Sequence, residues 1–201
     1  MRVKTEAQKD AILNAAIDVF REDGYERASM SKVSRRVGGS KGTLYNYFTS
    51  KEELFSAAML RAINAPAQEA FDILDEFGDK SSAREQLKRF GEAYLHFFLA
   101  PDSLEITRLA ISEGRNGELG ALMYRESVLQ GWKKVADFFE ERFADLPSHF
   151  CDFSEVAMSY RALLSADLTE QMLRGVLKKV DLQTIRAKSH FSATVICDLF
   201  K

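Results

Sequence analysis

A chain of 201 residues with 46% hydrophobic and 29% charged content can bury a full core and is too apolar to be disordered. The formal net charge of −2 hides an asymmetry: residues 1–51 hold ten Lys and Arg against six Asp and Glu, whereas residues 52–201 hold eighteen against twenty-four. A basic front and an acidic remainder exclude a protein that coats nucleic acid and favour one that touches it on a single face.

The first helix is predicted over about Lys4 to Asp23, with Ile12, Leu13, Ala16, Val19 and Phe20 as its apolar stripe. Gly24 ends it, and Tyr25 is placed to pack back on Phe20. Ser29 caps a second helix, Met30 to Val37; Gly38, Gly39 and Ser40 break it; and Ser40 caps a third, Lys41 to Phe48. Two short helices separated by a turn of about three residues have helix-turn-helix spacing. From Arg27 to Lys51 the charged residues are Arg27, Lys32, Arg35, Arg36, Lys41 and Lys51, with no Asp or Glu, so phosphate is the natural partner. The expected core of this head is Ile12, Ala16, Val19, Phe20, Val33, Val37, Leu44 and Phe48.

Ser50 and Glu53 form a capping box for the fourth helix, which Pro66 should kink or break between Ala62 and Ala67 before Gly78 and Asp79 close it. A fifth helix opens at Ser82 and carries Leu87, Phe90, Tyr94, Phe97 and Phe98 toward Pro101. The sixth covers about Leu104 to Glu113, ending before Gly114, and the seventh Glu118 to Ala144, with Leu122, Leu129, Trp132, Ala136, Phe139 and Phe143 in phase. The eighth and ninth, about Phe153 to Arg174 and Leu182 to Phe200, have broad apolar faces and no further chain to cover them. They are expected to form a four-helix dimer interface through Leu164, Leu168, Ser189, Ala193, Ile196 and Phe200. No stretch alternates with period two, so the fold is all-α, with about nine helices. It divides into a helix-turn-helix DNA-binding domain at 1–50 and a larger helical body, expected to dimerise, at 51–201.

Cys151 and Cys197 are too few for a disulfide framework, and a reducing compartment is expected. No signal-peptide core opens the chain and no window reaches the roughly 20 apolar residues that span a bilayer, so the expectation is a cytoplasmic protein. Phosphate-binding loops, dinucleotide fingerprints, H-E-x-x-H, EF-hand and G-x-S-x-G motifs are missing. His96, His149 and His190 are far apart, and Glu92 with His96 on one helix face is too little for a metal site. Neither an enzyme nor a cofactor is expected. The aromatic set Phe71, Phe90, Tyr94, Phe97, Trp132 and Tyr160 is either core filling or the lining of an apolar ligand cavity.

From Ser40 to Lys51 the chain reads Ser-Lys-Gly-Thr-Leu-Tyr-Asn-Tyr-Phe-Thr-Ser-Lys. It resembles there the TetR family of transcriptional repressors, whose recognition helix carries a similar Thr-Leu-Tyr-x-Tyr/His-Phe run followed by Lys. The resemblance covers Lys9 to about Phe55, including Ala11 to Ala16 and Phe20 to Tyr25; the remainder is similar only in length and helical pattern. It implies a repressor that leaves operator DNA on binding a small apolar or amphipathic effector. The DNA-binding residues are then Ser31, Ser40, Lys41, Gly42, Thr43, Tyr45, Asn46, Tyr47 and Lys51. Lys41 and Gly42 should meet base edges, Tyr45 thymine methyl groups, and Thr43, Tyr47 and Lys51 phosphates. One helix of about eight residues reads too little sequence alone, so a homodimer on a palindromic operator is expected. The alternative is an architectural DNA-binding protein without an effector, which would have a filled body.

Overall fold

The structure, a computed structural model, describes residues 5–75, 82–113, 118–143 and 152–200. Within them the backbone forms ten α-helices and no strand. In order these are α1 (Glu6–Arg27), α2 (Met30–Val37), α3 (Lys41–Tyr47), α4 (Lys51–Asp75), α5 (Ala83–Phe98), α6 (Pro101–Glu113), α7 (Glu118–Met123), α8 (Gln130–Phe143), α9 (Phe153–Leu173) and α10 (Leu182–Asp198). The fold is all-α, and none of these helices is long and apolar enough to cross a membrane. The expected limits at Lys4, Gly78, Asp79, Gly114 and Ala144, together with His149 and Cys151, lie outside the described residues.

Four elements differ from the sequence expectation. α1 continues past Gly24 to Arg27, although Gly24 itself leaves helical geometry (φ 72°, ψ 170°). α4 runs unbroken through Pro66, which lies on the exposed face, where the carbonyl deprived of its N–H partner can bond water. The long seventh helix is instead two α-segments joined by a π-helical stretch, Tyr124–Leu129. That stretch resets the phase, burying Met123 and Trp132 while leaving Leu129 exposed. α9 is interrupted at Ala166, whose φ of 29° is unfavourable for any residue with a Cβ.

The helices gather into two compact units, Met1–Asn64 with Glu105–Ser127, and Ala65–Leu104 with Val128–Lys201. The first therefore takes in the first half of α4 and most of α6, beyond the limit at residue 50 read from the sequence. Its core contains Ile12, Ala16, Val19, Phe20, Val33, Leu44 and Phe48, with Val37 only half-buried, and adds Leu54, Phe55, Ile106 and Met123. Each large apolar side chain removed from water there contributes about 1.5–3 kcal/mol. Tyr25 does pack back: its ring stacks on Phe20 at 6.1 Å and meets Phe55 edge-on at 4.9 Å.

In the second unit α5 packs against α10 and α9. The approach depends on Gly91, because a Cβ there would lie 2.4 Å from Ser189 Oγ and 2.7 Å from Tyr160 Oη. Those two hydroxyls instead donate to α5 carbonyls, Ser189 to Lys88 at 2.7 Å and Tyr160 to Leu87 at 2.5 Å. Arg84 with Asp198 (2.6 Å), and Glu92 with Arg186 (3.4 Å) and His190 (3.1 Å), clamp the rim of the same contact. Glu92 thus faces α10 and not His96.

Candidate nucleic-acid interface and effector site

Three local caps shape the α2–α3 motif. Ser29 Oγ accepts from Lys32 N at 3.3 Å, opening α2. Gly38 ends it in the left-handed region (φ 72°), and its N–H and that of Gly39 bond back to Arg35 and Ser34 carbonyls. Ser34 Oγ, buried, donates to the Gly39 carbonyl at 2.8 Å and fixes the turn. Ser40 Oγ then accepts from Thr43 N at 3.1 Å and lies 2.9 Å from Thr43 Oγ1, opening α3.

Only Leu44 of α3 is buried. Lys41, Gly42, Tyr45 and Asn46 are exposed, Tyr45 by 50%, while Ser31 and Thr43 are half-buried. Leu44 and the following Phe48 therefore anchor a helix whose other side is open to solvent. A Cβ on Gly42 would meet only Ser40 Oγ at 3.7 Å, so no contact within the protein requires glycine there.

The basic run is partly neutralised by α1, which the sequence window from Arg27 to Lys51 does not contain. Lys32 pairs with Asp23 at 2.8 Å, and Arg36 makes a bidentate pair with Glu22 at 2.9 and 2.6 Å. The hydrogen bond from Arg36 holds the exposed Glu22 carboxyl below its usual range, and Glu22 raises Arg36 in return. Lys51, expected on phosphate, donates to the Tyr25 carbonyl at 3.0 Å and stands 4.1 Å above the Tyr25 ring. Tyr47, assigned the same role, takes a 2.8 Å hydrogen bond from the Thr5 N–H. Both brace the head, whereas the side chains of Arg35 and Lys41 have no protein partner among the described residues and are exposed.

The aromatic set of the second unit converges. Tyr94 stacks on Phe90 (5.8 Å) and Phe98 (5.4 Å), and Trp132 stands edge-on to Phe71 (6.4 Å), Phe90 (5.7 Å) and Tyr94 (5.0 Å). Tyr160 completes the cluster 6.2 Å from both Phe90 and Trp132. Phe97 is half-buried beside it. Burial raises the pKa of Tyr94 against the opposing influence of Arg161 and Trp132, and raises that of Tyr160 much further against Ser189.

Two polar groups break the apolar character of this cluster. Gln86, one helical turn before Phe90 on α5, is fully buried, yet neither its Nε2 nor its Oε1 has a protein partner. A carboxamide so placed costs about 1–3 kcal/mol unless water or a ligand bonds it. Arg161 has a buried Nε without a partner and faces no carboxylate among the described residues. Sequence reading passed over both, because a polar residue one turn from an aromatic looks like a solvated one. A separate cleft of about 310 Å³, floored by Phe20, Ile106 and Leu109 and edged by Arg21 and Arg108, opens within the first unit.

The expected dimer residues lie elsewhere than assumed. Leu164, Ser189, Ala193, Ile196 and Phe200 are buried inside the single chain, and Leu168 nearly so. Their faces of α9 and α10 are already covered by α5, α8 and each other; Phe200, for example, stacks on Phe143 at 4.2 Å. Within the single chain these side chains leave little surface for a second copy. The outward side of α10 carries Phe191, exposed by 57%, while Leu182 in its first turn and Leu199 just beyond its end are exposed by 60% and 43%.

Residues 12–58 match the family model described as bacterial regulatory proteins, tetR family, and residues 85–197 that of the AefR-like transcriptional repressor C-terminal domain. The HTH-type transcriptional regulator UidR of Escherichia coli K12 is 44% identical over 94% of this chain and 91% of its own. The fatty acid metabolism regulator protein of Bacillus subtilis is 24% identical over 63% and 62%. Among solved structures, the flavonoid-responsive regulator FrrA superposes with a TM-score of 0.79 at 25% identity, covering 96% of this chain and 97% of its own.

Proposed function

We propose that this chain, which belongs to the TetR family of bacterial regulatory proteins and is a ligand-responsive DNA-binding transcriptional regulator, acts as a homodimeric repressor on a palindromic operator. A small apolar or amphipathic molecule entering the aromatic cluster releases it. The observation that carries this reading is the pairing of a helix anchored by Leu44 and Phe48, with Lys41, Gly42, Tyr45 and Asn46 exposed, and a buried ring cluster containing polar groups without partners.

On the DNA side, Lys41 and Gly42 read base edges, Tyr45 packs on thymine methyl groups, and Arg35, Ser31, Thr43 and Asn46 position the helix on phosphate and sugar. Lys51 and Tyr47 support that surface from behind. The dimer forms through the outward side of α10 around Phe191, since the inward side is occupied. FrrA responds to flavonoids, and a flat aromatic molecule suits the stacking surfaces of Phe90, Tyr94 and Trp132. α4 is continuous from Leu54 and Phe55, in the core of the first unit, to Phe71 and Leu74, in that of the second. A ligand that prefers a displaced Phe71 therefore acts on an element shared with the DNA-binding unit.

Selection of bound sequences from a random duplex pool tests the dimeric reading. An inverted repeat with half-site centres about one helical turn, or a multiple of it, apart is expected. Enrichment of a single unrepeated half-site would contradict it.

A further inference from the structure

We propose that the effector is an elongated aromatic carboxylic acid with a hydroxyl at its far end. In this assignment Arg161 receives its anionic or acidic end and Gln86 its far end, with Phe90 and Trp132 between them. The proposal rests on the aromatic cluster being the effector site.

Three observations carry it. Gln86 is fully buried with both ends of its carboxamide without a protein partner, so it offers both N–H donors and a carbonyl acceptor to whatever enters. A hydroxyl, which both donates and accepts, fits that pair. Arg161 lies beside the Tyr94 hydroxyl, with its Nε buried and no partner, and no carboxylate among the described residues neutralises it. A guanidinium with a buried Nε–H left to donate selects carboxylate or phenolate over neutral groups. Gln86, Phe90 and Tyr94 recur at i, i+4 and i+8 on α5, so the two polar ends are separated by two turns, about 12 Å at 1.5 Å per residue. That is the length of a two-ring aromatic or a hydroxylated arylpropenoate. A fatty acid offers the acid but neither the second hydrogen-bonding end nor faces to stack on the rings.

The experiment uses the full-length protein and the fluorescence of Trp132, the only tryptophan in the chain and one that sits within the cluster. The probes are 4-hydroxycinnamate, its methyl ester, cinnamate and neutral flavone. The acid is expected to bind at least tenfold tighter than the ester, and 4-hydroxycinnamate at least threefold tighter than cinnamate. Arg161→Gln should reduce the acid-to-ester ratio below twofold while ester binding stays within twofold. Arg161→Lys, which keeps the charge, should restore most of the ratio. Gln86→Leu should abolish only the preference for the 4-hydroxyl; circular dichroism verifies that each variant is folded. Equal binding of acid and ester by the native protein, or a ratio unchanged in Arg161→Gln, overturns the assignment. If flavone shifts Trp132 and neither acid nor ester does, the acidic class falls and the effector site stands. Silence toward all four overturns the assignment and removes the support for the site.

Discussion

The two units of this protein carry their functional groups in opposite ways. In the first, the groups suited to a partner are on the outside: Lys41, Gly42, Tyr45 and Asn46 face solvent on a helix anchored by Leu44, and the buried residues only brace it. In the second, they are inside: Trp132, Tyr94 and Gln86 are buried. A surface that meets a polyanion must be preformed and exposed, because counterion release rewards charge that is not already paired. A site for a small apolar molecule must exclude water, so its polar groups are buried and await a partner.

Substitutions that invert this contrast should have the largest effects. Ile196→Glu places a charge where the side chain is 1% exposed and should cost on the order of 3–5 kcal/mol, unfolding the second unit. Phe191→Glu, on the same helix but exposed by 57%, should leave the melting temperature nearly unchanged and shift sedimentation toward monomer. A Phe191→Glu protein that remains a full dimer places the interface elsewhere.

Next in size is a pair of glycines. Gly91→Leu drives a side chain into Ser189 and Tyr160 and should destabilise by about 3 kcal/mol in a denaturant titration. Gly42→Ala has room and should stay within about 0.5 kcal/mol in stability. It should nevertheless lose operator affinity, because the added methyl group stands between the helix and the base edges.

Lys41→Ala should cost about 1–3 kcal/mol of discrimination between operator and random DNA and lower the salt slope by about one. Lys32→Ala, whose ammonium is already paired with Asp23, should change the slope less. Equal slopes for the two variants would show that the pairing with α1 does not divide these cations.

The smallest expected effect is on pH dependence. The pKa of Tyr160 is raised well above 10.0 by burial, so its neutral form is the one that the fold stabilises. Its contribution is complete below the unfolded value and is lost as pH rises through the folded one. Tyr160→Phe should cost about 1 kcal/mol at neutral pH through the lost bond to Leu87, and should flatten the decline in stability above pH 10. An unchanged alkaline limb would assign that decline to other groups.

The head was legible because its signals are local. Ser29, Gly38 and Ser40 each act within about five residues, and a cap or a left-handed glycine is visible as a residue type at a spacing. The pairing of Arg36 with Glu22 was not, since it joins different helices fourteen positions apart. Periodicity identified the apolar faces of α9 and α10 but could not say what covers them. Ala193 and Ile196 are apolar because helices of the same chain pack on them, and periodicity alone does not tell such packing from a surface that a second copy covers. The π-helical stretch escaped notice because Leu122, Leu129 and Trp132 keep a plausible α-phase on paper. Gln86 and Arg161 became visible only once burial and hydrogen bonding were known.

One titration addresses the central claim, that a molecule held in the ring cluster releases the DNA-binding unit. Anisotropy of a labelled operator and fluorescence of Trp132 are followed together while 4-hydroxycinnamate or a flavone is added to the complex. The account predicts that the two signals change together with one midpoint, and that Arg161→Gln moves both midpoints to higher acid concentration by the same factor. Operator release with Trp132 unchanged would contradict it and direct attention to the cleft lined by Phe20, Ile106 and Leu109.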